Sequence, residues 1–187
     1  MRAEKEVSDA VKPGNRPAPL KPEGDWSHAF SYHPMDVEVQ KAEGIHYYDV
    51  EGNQYIDASG GPFAFTLPHG DSRMKKAIAD QMDKFTHIHP ALASRPVADF
   101  CSKIATVTPP KLNTTYLVSG GSEAVETAMK AARQHHLANG NQDKYKVISN
   151  YQSYHGMTLA TQGLSGNPSY QKYYGPMLTK WSHIHQY

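Results

Sequence analysis

Residues 112–150 carry the pattern that most constrains what this chain can become. LNTTYLVS (112–119) reads as a strand and GGSEAVETAMKAARQHHLANG (120–140) as a helix stopped by Asn139-Gly140. YKVISN (145–150) reads as a second strand. Strand, helix, strand at this spacing is a βαβ unit, which predicts an α/β fold with strand 112–118 and strand 145–149 in parallel. Open sheets of that class bind ligands at the carboxyl ends of their strands. The loop Ser119-Gly120-Gly121-Ser122 lies at such an end.

The rest of the chain supplies a frame for that unit. Residues 1–25 are rich in Pro, Lys and Glu and read as an extended arm. GIHYYDV and QYIDA flank Glu51-Gly52-Asn53, which predicts a β-hairpin over 44–57. SGGPFAFTLPHG (59–70) has too many Gly and Pro residues for a helix. A helix follows, with Asp71 or Ser72 as its cap and Met74, Ala77, Ile78, Met82 and Phe85 on one face. After THIHPALASR a second helix has Pro96 near its start, an apolar stripe of Val97, Phe100, Ile104 and Val107, and an end at Pro109-Pro110. Beyond Asn150 the stretches YQSYHGMT and LSGNPSYQKYYGPM read as loops.

Composition excludes several function classes. A net charge of +1 with mixed signs gives no electrostatic footprint for nucleic acid. No apolar run reaches membrane-spanning length, and the N-terminal stretch lacks the apolar core of a signal peptide. A single cysteine, Cys101, rules out an internal disulfide. The expectation is a soluble, cytoplasmic protein.

The most informative stretch is Leu117 to Arg133. The first turn of a helix has N–H groups without intrahelical partners, and its dipole favours an anion. Gly120 and Gly121 let those groups approach a phosphate closely, and Ser122 adds a hydroxyl donor. A plainer reading stands beside this one: Ser122 as an N-cap, the glycines as a tight turn, and Glu123 and Glu126 placed for the helix dipole. Those two carboxylates oppose a phosphate unless local geometry turns them away. No G-x-x-x-x-G-K-[ST] and no G-x-G-x-x-G occurs, which argues against the common nucleotide loops. Ser153-Tyr154-His155-Gly156 follows the second strand, where Tyr154 is placed to stack on a flat ring or simply to pack in a turn.

Together these stretches resemble the class III aminotransferases, the omega-aminotransferase group of fold type I pyridoxal-phosphate enzymes. The similarity runs from about Val37 onward through KAEGIHYYDVEGNQYIDASGG, PHG with the helix after it, SGGSEAVETAMKAARQ and YQSYHGMTLATQGLSG. The resemblance implies a fold type I large domain over 59–187, here partial, preceded by a small-lobe segment over 26–58. It implies pyridoxal 5′-phosphate as cofactor, with Gly121 and Ser122 on its phosphate and Gly120 adjacent. Many relatives have Ser at the place of Gly120, so a hydroxyl contact is missing there. Tyr154 would stack on the pyridine ring, Gly156 would keep the loop compact, and Phe63 would wall the substrate pocket. His155 belongs to the motif without an assigned role.

The family chains are much longer. The resemblance therefore implies that the Schiff-base lysine and the aspartate paired with the pyridinium nitrogen lie outside these residues, so that no catalytic residue is assigned here and this stretch alone is inactive. Lys130 lies more than two turns past Ser122 in the same helix. The implied activity is amino transfer from an amine or omega-amino acid to a keto acid, in at least a homodimer. A same-fold decarboxylase, aminomutase or racemase, or a non-catalytic paralogue, remains the alternative. Eleven histidines, with HIH at 87–89 and 183–185, invite a metal reading. They lack cysteine or acidic partners at ligand spacing, so no metal site is expected. Cys101, at helical spacing beside Phe100, is expected to pack rather than react.

Overall fold

A computed structural model describes residues 37–185, so the expected arm over 1–25 lies outside the described residues. The described residues form two compact units, divided between Leu92 and Ala93.

The first unit opens with three antiparallel strands in the order β1 (Val39–Glu43), β2 (His46–Asp49) and β3 (Gln54–Ile56). The expected hairpin is β2–β3, and β1 is an added strand. Asp49 builds the hairpin turn. Its Oδ1 accepts the backbone N–H groups of Glu51 (3.0 Å) and Asn53 (2.8 Å), and its Oδ2 accepts the Tyr55 hydroxyl (2.9 Å). Gly52 supplies the left-handed residue at φ +84° that an L side chain resists.

Next comes a single turn, α1 (Gly60–Phe63), in which Gly61 and Pro62 leave helical geometry, as the Gly and Pro content predicts. Helix α2 (Ser72–Met82) follows, and of the two expected caps Asp71 does the work. Its side chain accepts the N–H groups of Arg73 (2.8 Å) and Met74 (3.2 Å), two of the donors a helix start leaves unpaired. The predicted face of Met74, Ala77, Ile78, Met82 and Phe85 lines one shallow groove.

The second unit contains α3 (Arg95–Ala105), with Pro96 in its first turn, and α4 (Gly121–Ala138), ended at Asn139 and Gly140 (φ +75°). Strand β4 is short, Ile148–Asn150. Helix α5 (Leu159–Leu164), one-turn α6 (Pro168–Gln171), a 3-10 turn at Gly175–Met177 and β5 (Ser182–Ile184) complete it. Strand β5 pairs in parallel with β4, Ile148 opposite Ser182 and Asn150 opposite Ile184.

The parallel pairing differs from the expected one. Residues 112–118 run without a ladder partner among the described residues, and Tyr116 and Leu117 are exposed. A crossover helix sets the direction of the strands it joins, not their adjacency, and consecutive strands are often separated by others. The parallel connection that closes here is β4–α5–β5, and the loop expected after Asn150 holds its helix.

That helix is the heart of the unit. Thr161, Gln162, Leu164 and Ser165 are buried. A methyl group on Gly163 would sit 2.5 Å from the Thr179 carbonyl oxygen, and one on Gly166 would collide with the Asn150 carbonyl. Both glycines thus let the helix approach its neighbours at backbone distance. The Leu164 carbonyl, freed at the helix end, accepts Ser149 Oγ (2.5 Å) from β4 and His183 Nε2 (3.0 Å) from β5.

Candidate functional site

At the start of α4, Gly120 is extended and its carbonyl takes the first helical bond, from Ala124 N–H at 3.0 Å. The N–H groups of Gly121, Ser122 and Glu123 have no carbonyl one turn back to bond. A Cβ placed on Gly120 or Gly121 would meet nothing within 4 Å. No atom therefore crowds the Cβ side of either glycine.

The two carboxylates that oppose an anion are each hydrogen-bonded. Glu123 Oε2 accepts the backbone N–H of Ser119 at 2.7 Å. Glu126 accepts the Thr158 hydroxyl. Glu126 is thus held away from the loop, at Thr158, whereas the Glu123 carboxylate stays at the first residue of the loop, on the Ser119 N–H.

Ser122 does more than the sequence reading assigns to it. Its Oγ accepts the backbone N–H of Met157 at 3.0 Å, across 35 residues. A hydroxyl has one proton and two acceptor sites. The contact uses an acceptor site, so the proton remains available to an anion. Gly156 makes the contact geometrically possible. It is buried with φ +130°, and a Cβ there would collide with Ser122 Oγ and lie 2.7 Å from Thr161 Oγ1. The loop then passes into α5 through a capping box between Thr158 and Thr161.

The structure thus brings Gly120, Gly121, Ser122 and Gly156 to one place. Tyr154 stands two residues before Gly156, with much of its surface exposed. His155 has a structural task through its backbone: its N–H donates to Ser165 Oγ at 3.0 Å. Phe63 belongs to the first unit, where it is 87% exposed at φ +59°. Lys130 is exposed on α4, eight residues and about 12 Å of helix rise past Ser122. Among the described residues no group of three or more His, Cys, Asp or Glu side chains is arranged to hold a metal ion. No helix among them is long and apolar enough to cross a membrane.

Ser122→Ala removes the acceptor for Met157 N–H. The expected cost is about 1 kcal/mol, with faster hydrogen exchange at the Met157 amide. Unchanged exchange there would mean that the hydroxyl does not hold the loop.

The first unit holds a polar cluster that sequence reasoning missed. Asp57 Oδ2 accepts the Tyr47 hydroxyl (2.8 Å) and lies 3.0 Å from His69 Nε2. These bonds, His69 first, hold its carboxyl well below the usual range. Hydrogen bonds from Arg73 and from the Met74 N–H do the same for Asp71. At Asp49 burial pushes upward but is outweighed by bonds from Asn53 and Tyr55.

All three aspartates stay ionised in the fold at a pH where the unfolded chain takes up protons. Their stabilisation is therefore complete above about pH 4 and is lost as pH falls below it, toward the depressed folded values. Acid unfolding of the hairpin, followed by tyrosine fluorescence, should begin below about pH 4 and be less steep in Asp57→Asn. An identical acid limb in that variant would count against the cluster's role.

Residues 27–187 match the family profile described as Aminotransferase class-III. The chain belongs to that family. Among curated relatives, ornithine aminotransferase 2 of Staphylococcus saprophyticus is 34% identical over 80% of this chain and 38% of its own length. The acetylornithine aminotransferase of Neisseria meningitidis serogroup A is 32% identical over 83% of this chain and 38% of its own. The chain thus spans well under half the length of these relatives. Among solved structures, adenosylmethionine-8-amino-7-oxononanoate aminotransferase from Methanocaldococcus jannaschii superposes with a TM-score of 0.79 at 27% identity, covering 86% of this chain and 39% of that one. An (S)-enantioselective omega-transaminase from Thermomicrobium roseum gives 0.75 at 27% identity, over 89% and 37%. The fold is therefore the fold type I transaminase α/β fold, present in part.

Membership in class III implies pyridoxal phosphate, and the residues present fit it. The donor set at the α4 start is backbone N–H groups and one hydroxyl proton, the Cβ side of both glycines is open, Glu126 is held by Thr158, and the Glu123 charge is partly met by the Ser119 N–H.

Proposed function

We propose that the protein carrying this chain is a pyridoxal-phosphate-dependent transaminase that moves an amino group from an amine or omega-amino acid to a keto acid. The observation that carries the reading is the open α4 start, with Ser122 joined to the Gly156 loop and its proton directed to no protein acceptor among the described residues. The names of the ornithine and acetylornithine relatives favour an omega-amino acid as donor.

In this reading Gly121 and Ser122 hold the cofactor phosphate beside Gly120, and Tyr154 lies against the ring. Gly156 keeps the loop close to the helix, and Phe63 walls the substrate pocket. When bound, pyridoxal 5′-phosphate supplies an aldehyde for the amine and an electron-withdrawing ring that stabilises negative charge at the carbon losing its proton. This chain's residues bind and orient it. The lysine that receives that proton and the aspartate at the ring nitrogen belong to segments outside these residues. The reading includes a homodimer in the cytoplasm, no nucleic-acid or membrane partner, a small-lobe segment over 26–58 and a large domain from 59 onward.

The test is titration of the purified chain with pyridoxal 5′-phosphate, followed by absorbance, with borohydride trapping and mass measurement. The expected result is weak noncovalent binding, no amine-to-ketone turnover and no stoichiometric lysine adduct. Combining Ser122→Ala with Gly121→Val should remove the binding. Turnover accompanied by a single trapped lysine would move the catalytic lysine into this chain and overturn that part of the reading.

A further inference from the structure

The turn that carries Phe63 is held at its root by one buried carboxylate. The Asp57 side chain is 6% exposed and accepts from five donors. Oδ2 takes the Tyr47 hydroxyl (2.8 Å) and His69 Nε2 (3.0 Å). Oδ1 takes the N–H groups of Gly60 (2.8 Å) and Ser59 (3.2 Å) and the Ser59 hydroxyl (3.4 Å). An ionised carboxylate only accepts, so His69 Nε2 carries the proton in this contact. His69 is fixed a second time through its backbone, which exchanges both bonds with Gly44 (3.0 and 2.8 Å). Its ring lies 4.9 Å from that of Tyr47 and 5.2 Å from that of Phe65. The segment between Asp57 and His69 therefore leaves the sheet and returns to it with both ends joined through one side chain.

Between those ends the backbone is forced. Gly60, Gly61 and Phe63 have φ of 57°, 66° and 59°. A side chain on Gly60 would collide with the Phe65 carbonyl. The left-handed region is costly for a bulky residue such as Phe63 and persists only where the surroundings impose it. Burial does not impose it, since Phe63 is 87% exposed. The Phe63 N–H donates to the Ser59 carbonyl (3.2 Å) and the Ala64 and Phe65 N–H groups to the Gly60 carbonyl (3.2 and 3.0 Å), and Asp57 holds the Ser59–Gly60 amides on which that turn is built.

We propose that Asp57, with Tyr47 and His69, is a positioning latch that fixes how Phe63 is presented and, through Phe63, which amines the protein accepts. The proposal rests on Phe63 being the substrate wall of the transaminase reading. Asp57 touches no reacting atom in it.

Two variants test it. Asp57→Asn turns one of the two acceptor oxygens into a donor, so the side chain no longer serves both the Tyr47–His69 pair and the Ser59–Gly60 amides, and Tyr47→Phe removes one donor and leaves the other four bonds. The Phe63 Cα and Cβ chemical shifts report its left-handed φ in the chain itself. Asp57→Asn should lose that signature, and Tyr47→Phe should weaken it. In the transaminating protein, kcat/KM for a bulky amine relative to a small one should shift about tenfold in Asp57→Asn, mainly through KM, with cofactor retention unchanged. If Asp57→Asn does not fold, Tyr47→Phe carries both measurements, with a smaller shift in the same direction. Left-handed Phe63 shifts in both variants, or a selectivity ratio steady within about twofold, would overturn the latch. If the unmodified protein transaminates nothing, the transaminase reading fails and the Phe63 shifts alone decide whether the latch exists.

Discussion

Gly156→Ala should destabilise the second unit by about 3 kcal/mol or more, and with it remove cofactor binding. Two independent costs add. The backbone sits at φ +130°, outside the regions an L side chain adopts without strain. The new methyl would also collide with Ser122 Oγ and lie 2.7 Å from Thr161 Oγ1, in a buried place where neither neighbour is a flexible chain end. Relief requires the loop to lift from α4, which breaks the Met157 N–H to Ser122 bond and strains the capping box of α5. For a chain of this size each kcal/mol moves the melting temperature by about 2–4 °C, so a fall of roughly 6–12 °C is expected. Gly121→Ala is the matched control. It adds the same methyl into open space at the first position of a helix, where alanine is favoured, and should be neutral or stabilising by a few tenths of a kcal/mol. Urea midpoints for the two variants that agree within error would show that Gly156 is not under the constraint described.

The sequence makes some of this molecule legible and hides the rest for definite reasons. Helices α2 and α3 carry periodic apolar stripes, α2 has its Asp71 cap, α3 its Pro96 and α4 its Asn139-Gly140 stop, and the β2–β3 hairpin carries Glu51-Gly52-Asn53 between aromatic runs, so local signals specify them. Helix α5 has neither length nor a clear stripe, and Gly163 lies inside it. Its burial among β4, β5 and Trp181 stabilises it, and those contacts are nonlocal. Strand β5 is three residues long, and its place is given only by pairing with β4, so no local signal marks it. The expected pairing of 112–118 with 145–149 fails because 112–118 forms no ladder among the described residues and β4 pairs with β5 instead, a partner set by contacts distant in sequence. At the site Gly156 is legible, since close approach and a φ of +130° leave no other choice, while Gly120 and Gly121 are legible only as a glycine pair before a helix. The acceptor role of Ser122 is not, because its partner is 35 residues away. Asp57 is hidden for the same reason: its donors come from Tyr47, Ser59, Gly60 and His69 and converge only in the fold.

Removal of the phosphate from the ligand should cost the chain about 100-fold or more in affinity, and Gly121→Val should cost as much while leaving the fold intact. The α4 start offers backbone N–H groups and the Ser122 proton. Hydrogen bonds to a charged group contribute about 1.5–3 kcal/mol each, so losing two of them is a factor of about 100 or greater. Pyridoxal retains the ring that Tyr154 is proposed to face but has nothing to offer these donors. In Gly121→Val the isopropyl group occupies the open space over the helix start. It meets no protein atom near its Cβ, and valine is a slightly better helix residue than the glycine it replaces, so stability should change by no more than a few tenths of a kcal/mol. Ser122→Ala should weaken binding about tenfold, because one donor is lost and the N–H groups remain. Added salt should weaken pyridoxal 5′-phosphate binding and leave pyridoxal binding unchanged. This set separates cradle from scaffold. Gly156→Ala loses ligand and stability together, whereas Gly121→Val loses ligand alone. Equal affinity for pyridoxal and its phosphate, or a Gly121→Val chain that binds like its parent, would mean that the helix start is only a turn and that the anion is held elsewhere.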